Sequence, residues 1–265
     1  MSPRPAPGVS QRSLGLVAGS PWLTASPTRC PIRPARPAES TVVVAWSAPL
    51  GAGRRDEQTI DDFLNDVLRN IDAYWSQTFR EAGLPEPSVR LVTVAPGEQI
   101  ATGCGTTADD RAAFYCPADD TIYMAQVFAS ELYEGIVNGL PGEAAGYGRA
   151  AGDFAVAYVL AHEYAHNLQQ ELGIFNHSVT PKARPYELHA DCWAGTWANS
   201  AYQQGRLEQG DLEEALDAAL AVGDFDFGNA QHHGTPEERR DALLTGYRSG
   251  DPSACSTYLP PATGS

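Results

Sequence analysis

The sequence predicts an α+β fold, in which a mainly helical domain carries a small β-sheet beside one alanine-rich helix. Apolar residues recur at three- and four-residue intervals over much of the chain after residue 59, which is typical of helices packed on a core. After residue 59, strand-like segments are short, rich in β-branched residues and confined to residues 89–124. A small sheet among helices accounts for both patterns.

The predicted elements follow one another in order along the chain. Thr59 is an expected N-cap, and the apolar stripe after it predicts a helix that ends at Gly83 and Pro85. Three segments are expected to form strands, the last two as a hairpin-like pair: 89–94, 112–115 and 121–124. Further helices are expected at 126–137, around His162, and at 185–203, 211–221 and 236–248.

Residues 1–55 differ in composition from the rest of the chain. They contain nine of the 20 prolines and seven of the 18 basic residues. Because proline lacks a backbone donor and resists helix formation, we expect a disordered, Pro/Arg-rich segment ahead of one folded domain at 56–265. The apolar stretch 14–19 is a weak core for a secretory signal, since Pro21 interrupts it soon afterwards.

Charge is unevenly distributed along the chain, and its sign bears on which classes of macromolecule the protein can bind. Residues 1–55 carry a net charge of +6, whereas 56–265 hold 11 basic and 32 acidic residues, a net charge of −21. A body this acidic repels the phosphates of nucleic acid, so we expect no nucleic-acid partner. A run of 18 or more apolar residues is absent from the sequence, so an integral membrane span is not expected either.

The most informative motif is H-E-x-x-H at residues 162–166, which lies in an apolar, alanine-rich stretch. Residues four apart share one face of a helix, so the rings of His162 and His166 can point at a single metal ion. Glu163 lies beside the first histidine, where it can hold and deprotonate a metal-bound water. A motif this short also arises by chance on a helix surface, so the surrounding sequence has to decide.

The surrounding sequence favours a metal site. All six histidines lie between residues 162 and 233, and Glu187 follows His166 by 21 residues on the next predicted helix. Two histidines and a glutamate are a standard ligand set of hydrolytic zinc sites. Asp191, one turn further along, can accept the second ring N–H of a ligating histidine. The alternative is an exposed acidic pair, but the apolar neighbours predict a buried helix, where unpaired carboxylates are costly.

The five cysteines bear on the cellular compartment. Cys104 and Cys116 flank a short polar loop and can form a disulfide, and Cys192 and Cys255 are the second plausible pair, which leaves Cys30 over. Two disulfides predict folding outside the cytoplasm, so we expect an extracytoplasmic or secreted protein. If the thiols are free instead, Cys192 is a small buried apolar residue and the argument lapses.

Four blocks of sequence occur in order from about residue 60 to the C-terminus: FYCPAD followed by TIY, GDFAVAYVLAHEYAH, ELHADCWAGTWA and HGTPEERR. Together they resemble the neutral zinc metallopeptidases of the YpfJ type. The joint occurrence of the blocks is far more specific than the pentapeptide alone.

The resemblance implies a zinc-dependent, gluzincin-like peptidase with a zincin-like fold, one Zn²⁺ per chain, and His162, His166 and Glu187 as ligands. The family usually reads His-Glu-Tyr-Gly-His-His, whereas here Ala165 replaces the glycine and Asn167 the last histidine. Neither change touches a ligand position, so we expect both to affect neighbouring packing.

The expected reaction is hydrolysis of a peptide or protein substrate by a zinc-bound water, with Glu163 taking its proton and passing it to the leaving amine. The family places the block that begins at His233 near the metal, which makes His233 the candidate donor to the oxyanion and His232 its substitute. Arg239 in the same block is expected either to pair with a carboxylate such as Asp191 or to be a solvated helix charge.

Other functions remain compatible with the sequence. One is a catalytically inactive, zincin-like domain that binds peptides, and another is a zinc amidohydrolase that acts on a non-protein amide, because the zinc chemistry is shared. A third is an acidic secreted structural protein whose histidines are incidental. Retention of Glu163 favours an active hydrolase.

Overall fold

The computed structural model of the chain describes residues 58–177 and 182–260. In these ranges the strands are β1 (Arg90–Val94), β2 (Ile100–Ala101), β3 (Thr107–Ala108), β4 (Ala113–Cys116) and β5 (Thr121–Ala125). The helices of the same ranges are α1 (Ile60–Glu81), α2 (Gln126–Tyr133), α3 (Pro141–Ala144), α4 (Asp153–Glu171), α5 (Arg184–Gln203), α6 (Asp211–Val222) and α7 (Pro236–Ser249). Short 3₁₀ helices follow α4 and α7, at Ile174–His177 and Pro252–Tyr258. The predicted class, a mainly helical α+β fold with a small sheet, is confirmed.

The start of α1 shows why the sequence forms a helix there. The Thr59 hydroxyl accepts the backbone N–H of Asp62, and the Asp62 carboxylate in turn accepts the backbone N–H of Thr59. This reciprocal cap satisfies two donors that a helix start leaves unpaired. The apolar stripe of α1 is buried as predicted: Phe63, Leu64, Val67, Ile71, Trp75 and Phe79.

The larger sheet has the strand order β1-β5-β4. The β4–β5 hairpin is antiparallel, as predicted, whereas β1 pairs with β5 in parallel. The sequence pattern does not predict this parallel pairing, nor the separate two-stranded sheet of β2 and β3. β5 is buried along its length and β4 is an edge strand beside α4. A disulfide from Cys104 to Cys116 ties the β2–β3 connection to the end of β4.

α4 is the central helix of the domain and packs against α1, α2, α5, α6 and β4. Four alanines on different sides of it are almost fully buried: Ala155, Ala157, Ala161 and Ala165. A helix that is apolar all round belongs to the core of a protein. The H-E-x-x-H motif therefore lies on a buried helix and not on a solvent-facing one.

α5 and α7 cross in direct backbone contact. A Cβ atom on Gly195 would lie 2.1 Å from the carbonyl oxygen of Leu243, and one on Gly246 would lie 1.8 Å from that of Cys192. Neither helix can carry a side chain at the crossing. This close approach lets Arg239, in the first turn of α7, reach Asp191 of α5, and the disulfide Cys192–Cys255 joins the 3₁₀ helix after α7 to α5.

Some expectations differ from the structure. The helix predicted over 126–137 ends at Tyr133, because Gly135 takes a left-handed conformation with a φ of 68°. The glycine-rich stretch before α4 contains the short helix α3. The predicted disordered segment at 1–55, with Cys30, lies outside the described residues. Within those residues, the helices lack the length and apolarity that crossing a membrane requires.

Candidate metal centre

α4 presents His162 and His166 from successive turns. Their Nε2 atoms are 3.1 Å apart, and the two rings are nearly perpendicular at 86°. The four-residue spacing places both on the same face of the helix, as predicted. Since His162 is only 5% exposed, its ring is fixed by the surrounding core.

The first turn of α5 supplies a carboxylate to the same point. Glu187 Oε2 lies 3.2 Å from Nε2 of His162, and Oε1 lies 3.4 Å from Nε2 of His166. The structure thus brings together all three residues that the sequence nominates as metal ligands. We call His162, His166 and Glu187 the ligand trio.

The orientation of His162 is set by Asp191, one turn beyond Glu187 on α5. Oδ1 of Asp191 lies 2.8 Å from Nδ1 of His162 and also accepts the hydroxyl of Tyr158 at 2.6 Å. A carboxylate here accepts the Nδ1–H of the imidazole, which leaves the lone pair of Nε2 free to face the trio.

His166 is oriented by a residue that the sequence reading missed. Oε1 of Gln169 lies 2.9 Å from Nδ1 of His166, while its Nε2 donates to the carbonyl of Tyr186 at 2.8 Å and to Nδ1 of His189 at 3.0 Å. Because the amide nitrogen is occupied as a donor, the oxygen is the end that faces His166 and accepts its Nδ1–H. Burial, with a smaller contribution from the charge of His166, lowers the pKa of His189 to about 3, so this ring is neutral and accepts.

These donors fit a zinc ion. The Nδ1–H bonds turn two Nε2 lone pairs towards a carboxylate, and three converging electron donors are stabilised by a cation. Ligand atoms about 2.0–2.1 Å from a tetrahedral zinc lie about 3.3–3.4 Å from one another. The separations in the trio are close to that value: 3.1 Å between the two nitrogens, and 3.2 and 3.4 Å from each nitrogen to a different oxygen of Glu187. Nitrogen and oxygen ligands from three residues also leave one tetrahedral position for solvent or substrate.

The charge around the trio favours a cation as well. Burial lowers the pKa of His162, but the charge of Asp191 and hydrogen bonds that the ring donates to Asp191 and Glu187 raise it to about 10. Burial raises the pKa of Glu187, but the charge of His166 and the hydrogen bonds of both histidines hold it well below its usual range. A proton on His162 and a metal ion therefore compete for the same electron-rich point.

Glu163 lies between the trio and the sheet. Its Oε2 accepts the backbone N–H of Tyr115, in edge strand β4, at 2.8 Å. Burial raises the pKa of Glu163, while the charges of the two histidines oppose the shift. A buried carboxylate with a raised pKa, fixed by a backbone donor, is suited to accept and release a proton.

Arg239, from the first turn of α7, forms a buried ion pair with Asp191. Its Nε is 2.8 Å from Oδ2 and its Nη2 is 2.9 Å from Oδ1, and both residues are nearly inaccessible to solvent. Of the two expectations for Arg239, the structure supports the carboxylate pair. Nη2 also lies 3.3 and 3.4 Å from the two ring nitrogens of His162, so it is directed at neither and lies alongside the ring. Burial raises the pKa of Asp191, but the charges and hydrogen bonds of Arg239 and His162 together lower it to about 2.

The trio and Glu163 lie in the wall of a cavity of about 550 Å³. His233 lines this cavity, and its side chain is 48% exposed. His232 is buried instead, with Nδ1 2.6 Å from Oδ1 of Asp224, whose Oδ2 accepts the backbone N–H of His233 at 2.9 Å. His233 is thus placed at the site, whereas its substitute His232 holds the loop that presents it. The rest of the wall is largely apolar: Ala113, Phe114, Tyr115, Phe128, Pro141, Tyr158, Val159 and Val222.

Three contacts at the site differ in how far the sequence could reveal them. Gln169 and Tyr158 lie three and four residues from a trio histidine on the same helix, so their helical spacing is a usable signal. The bond from Tyr115 to Glu163 joins residues 48 apart and uses a backbone N–H, so side-chain identity carries no trace of it.

The sequence matches a known protein family over most of its length. Residues 35–258 match the family described as "Putative neutral zinc metallopeptidase". Among similar curated proteins is the uncharacterized protein YpfJ of Escherichia coli K12, 34% identical over 228 residues that cover 77% of this chain and 73% of that protein. Another is the uncharacterized protein Rv2575 of Mycobacterium tuberculosis H37Rv, 30% identical over 214 residues, or 71% and 67% of the two chains.

Solved structures yield no significant match. The family match extends over most of the chain and includes the ligand trio, Glu163, Asp191 and Arg239. By that extent of similarity, the chain belongs to the neutral zinc metallopeptidase family.

Proposed function

We propose that this chain is a zinc-dependent endopeptidase, with His162, His166 and Glu187 holding the metal ion. The observation that carries the proposal is the convergence of two Nε2 atoms and one carboxylate at 3.1–3.4 Å, beside the carboxylate of Glu163. When bound, zinc supplies a Lewis acid that polarises the scissile carbonyl and lowers the pKa of a water molecule towards about 7.

Glu163 is the proton carrier in this proposal. Its carboxylate takes the proton of the attacking water at one oxygen and later gives it to the nitrogen of the leaving amine. The backbone N–H of Tyr115 holds Oε2 at 2.8 Å, which fixes the direction of the group. The raised pKa of Glu163, caused by burial, makes the carboxylate a better proton acceptor than an exposed glutamate.

His233 donates a hydrogen bond to the oxygen that gains negative charge in the transition state. The support for this role is its exposed ring on the cavity wall and the fixed backbone of its loop, where Asp224 accepts its N–H. Asp191 and Gln169 act through the histidines: each accepts an Nδ1–H and keeps the ring turned towards the metal position.

The substrate is a peptide or protein bound in extended form. β4 is an edge strand, and Ala113, Phe114 and Tyr115 from it line the cavity. An edge strand offers backbone donors and acceptors to an added strand, which suits recognition of a main chain independent of sequence. The apolar wall formed by Phe128, Val159 and Val222 favours an apolar side chain next to the scissile bond.

The protein works outside the cytoplasm in this proposal. The support is the pair of disulfides, Cys104–Cys116 and Cys192–Cys255, which reducing compartments disfavour. Mass mapping of native protein without reductant should show both bridges, and free thiols at all four positions would remove this part of the proposal.

The decisive experiment compares wild type, Glu163→Gln and Glu171→Gln on casein and on a peptide library, with zinc content measured in each. Glu171 lies on the same helix, away from the trio, so it controls for the loss of one negative charge on α4. Glu163→Gln should retain about one zinc and lose at least about 100-fold in kcat, whereas Glu171→Gln should keep most activity.

Other outcomes separate the alternative functions. Peptide binding without turnover in the wild-type protein would favour an inactive binding domain. Turnover of non-peptide amides alone, again abolished in Glu163→Gln, would favour an amidohydrolase. A wild-type protein that binds no zinc would overturn the metal site itself.

A further inference from the structure

A second group of carboxylates lies at the start of α4, apart from the ligand trio. Asp153 is the first residue of α4, Asp211 is the first residue of α6, and Glu214 follows one turn later on α6. One carboxylate oxygen of each lies within 4.8 Å of those of the other two. Asp153 and Asp211 are only 6% and 3% exposed, so these are not ordinary surface acids.

One oxygen in the group lacks a partner. Oδ2 of Asp153 is buried and has no hydrogen-bond partner within the part of the chain that the structure describes. A buried carboxylate oxygen without a partner costs free energy that a protein normally avoids. The N-terminal ends of α4 and α6 favour nearby negative charge, but this field acts on the whole carboxylate and gives Oδ2 no direct contact.

The other two carboxylates are held in place by backbone donors. Glu214 accepts the N–H of Phe154 at 3.0 Å, and Asp211 accepts the N–H of Glu208 at 2.8 Å. Gly152 leaves room for Glu214, because a Cβ atom there would lie 2.0 Å from its carboxyl carbon. The cluster is therefore a built arrangement, with a glycine that makes space for one of its members.

The strongest charge effects on the cluster are from negative groups. The strongest charge effects on Asp153, Asp211 and Glu214 come from one another and from Glu208 and Glu213, all of them acidic. Burial and then the charge of Glu214 raise the pKa of Asp153 to about 6, and burial with the charge of Asp153 raises that of Asp211 to about 6. A proton shared between the carboxyls of Asp153 and Glu214 would relieve this repulsion, but neutral pH tends to remove it.

We propose that Asp153, Asp211 and Glu214 form a second cation site, which binds Ca²⁺ and joins the first turn of α4 to that of α6. The donors are all carboxylate oxygens, without histidine or cysteine, which is the chemistry of a hard cation and not of zinc. Calcium–oxygen distances of about 2.3–2.6 Å place ligand oxygens up to about 5 Å apart, so three oxygens that all lie within 4.8 Å of one another can share one calcium ion. Calcium also accepts irregular geometry and completes its shell with water, whereas Mg²⁺ demands a near-ideal octahedron.

The site is structural and separate from the peptidase chemistry. Asp153 precedes His162 by nine residues, or about 13 Å along α4. Calcium at this point takes the place of a proton between Asp153 and Glu214, pairs the buried Oδ2 and fixes the start of the helix that carries the H-E-x-x-H motif.

The test uses the full chain, passed over chelating resin to remove metal ions, reloaded with one equivalent of zinc and then titrated with CaCl₂ or MgCl₂. Thermal unfolding is followed for wild type, Asp153→Asn, Asp211→Asn and Asp217→Asn. Asp217 is the matched control, because it lies on α6 and is exposed, outside the cluster. Calcium should raise the Tm of wild type and Asp217→Asn by about 5–10 °C at a concentration about 100 times Kd, and magnesium should do much less.

Calcium should reverse the order of stability between wild type and the two cluster variants, Asp153→Asn and Asp211→Asn. Without calcium they should unfold at or above the wild-type Tm, because each removes one repelling charge, and with calcium they should unfold below it. His162→Ala should keep the full calcium response, so failure of the zinc site is distinguishable from failure of this one. A calcium shift absent from wild type, or equal in wild type and both cluster variants, overturns the proposal.

Discussion

Asp191 contacts His162 and Arg239 at the same time: its Oδ1 lies 2.8 Å from Nδ1 of His162, and its Oδ2 lies 2.8 Å from Nε of Arg239. The residues come from α5, α4 and α7, so one buried carboxylate joins three helices at the candidate metal centre. A side chain with this position affects both the orientation of a ligand and the stability of the domain.

Replacement of Asp191 by Asn should therefore lower zinc affinity and stability together. An amide accepts less strongly from His162, for which we expect about a 10–100-fold loss of zinc affinity. The Arg239 guanidinium loses its counter-charge inside the protein, and breaking a buried pair in this way costs about 3–5 kcal/mol. Competition with a zinc chelator and urea unfolding measure the two effects.

Asp241→Asn is the control for Asp191→Asn, because this aspartate is on α7 with a side chain that is 62% exposed. It should change neither zinc affinity nor stability measurably. If Asp191→Asn behaves in the same way, the pair has no role in positioning His162.

Gln169→Leu should weaken zinc binding by about tenfold, because His166 loses the acceptor that fixes its Nδ1–H. Leucine also leaves the carbonyl of Tyr186 and Nδ1 of His189 without the amide donor, so some loss of stability will accompany the change. Gln169→Glu is the informative companion. It restores an acceptor for His166 but not the donor, so it should recover zinc affinity while the loss of stability persists.

His233→Ala and His232→Ala should affect different properties, activity and stability, although the two residues are adjacent. His233→Ala should reduce kcat about 10²–10³-fold with zinc content unchanged, since a donor to the transition state is removed. His232→Ala should mainly lower the Tm, since the ring is buried against Asp224 at 2.6 Å. A normal kcat in His233→Ala would assign the oxyanion donor to another group.

Stability without calcium should depend on pH through Asp153 and Asp211. Burial raises both pKa values from 3.8 to about 6, helped by the acidic neighbours Glu208, Glu213 and Glu214. Between pH 4 and 6 the folded protein thus binds more protons than the unfolded chain, so stability falls as the pH rises through this window and stays lower above it.

The measurement is urea unfolding at several pH values in calcium-free buffer, for wild type and Asp211→Asn. The difference between the two proteins isolates the cluster, because groups elsewhere titrate alike in both. A difference that is constant from pH 4 to 7 would contradict the raised pKa values.

The sequence could predict the site residues that lie close together on one helix. His162 and His166 share a face because of their spacing, and Glu187 and Asp191 could be chosen because they lie one turn apart on the next apolar helix. The calcium cluster was out of reach, since Asp153 and Asp211 look like ordinary acidic residues of a first helical turn. What distinguishes them is burial, which depends on how α4 and α6 pack. The parallel pairing of β1 with β5 was hidden for a similar reason: distant strands this short carry no local mark of their partner.

The glycines at the crossing of α5 and α7 determine how precisely Asp191 and Arg239 are positioned at the candidate metal centre. Gly195 lies one turn from Asp191, and Gly246 lies two turns from Arg239, so the spacing of the helix axes is transmitted to the carboxylate and the guanidinium. One added methyl group at either glycine would push the axes apart by more than the slack in a hydrogen bond. The orientation of the His162 imidazole therefore depends on the lack of side chains at Gly195 and Gly246, although neither glycine lines the cavity.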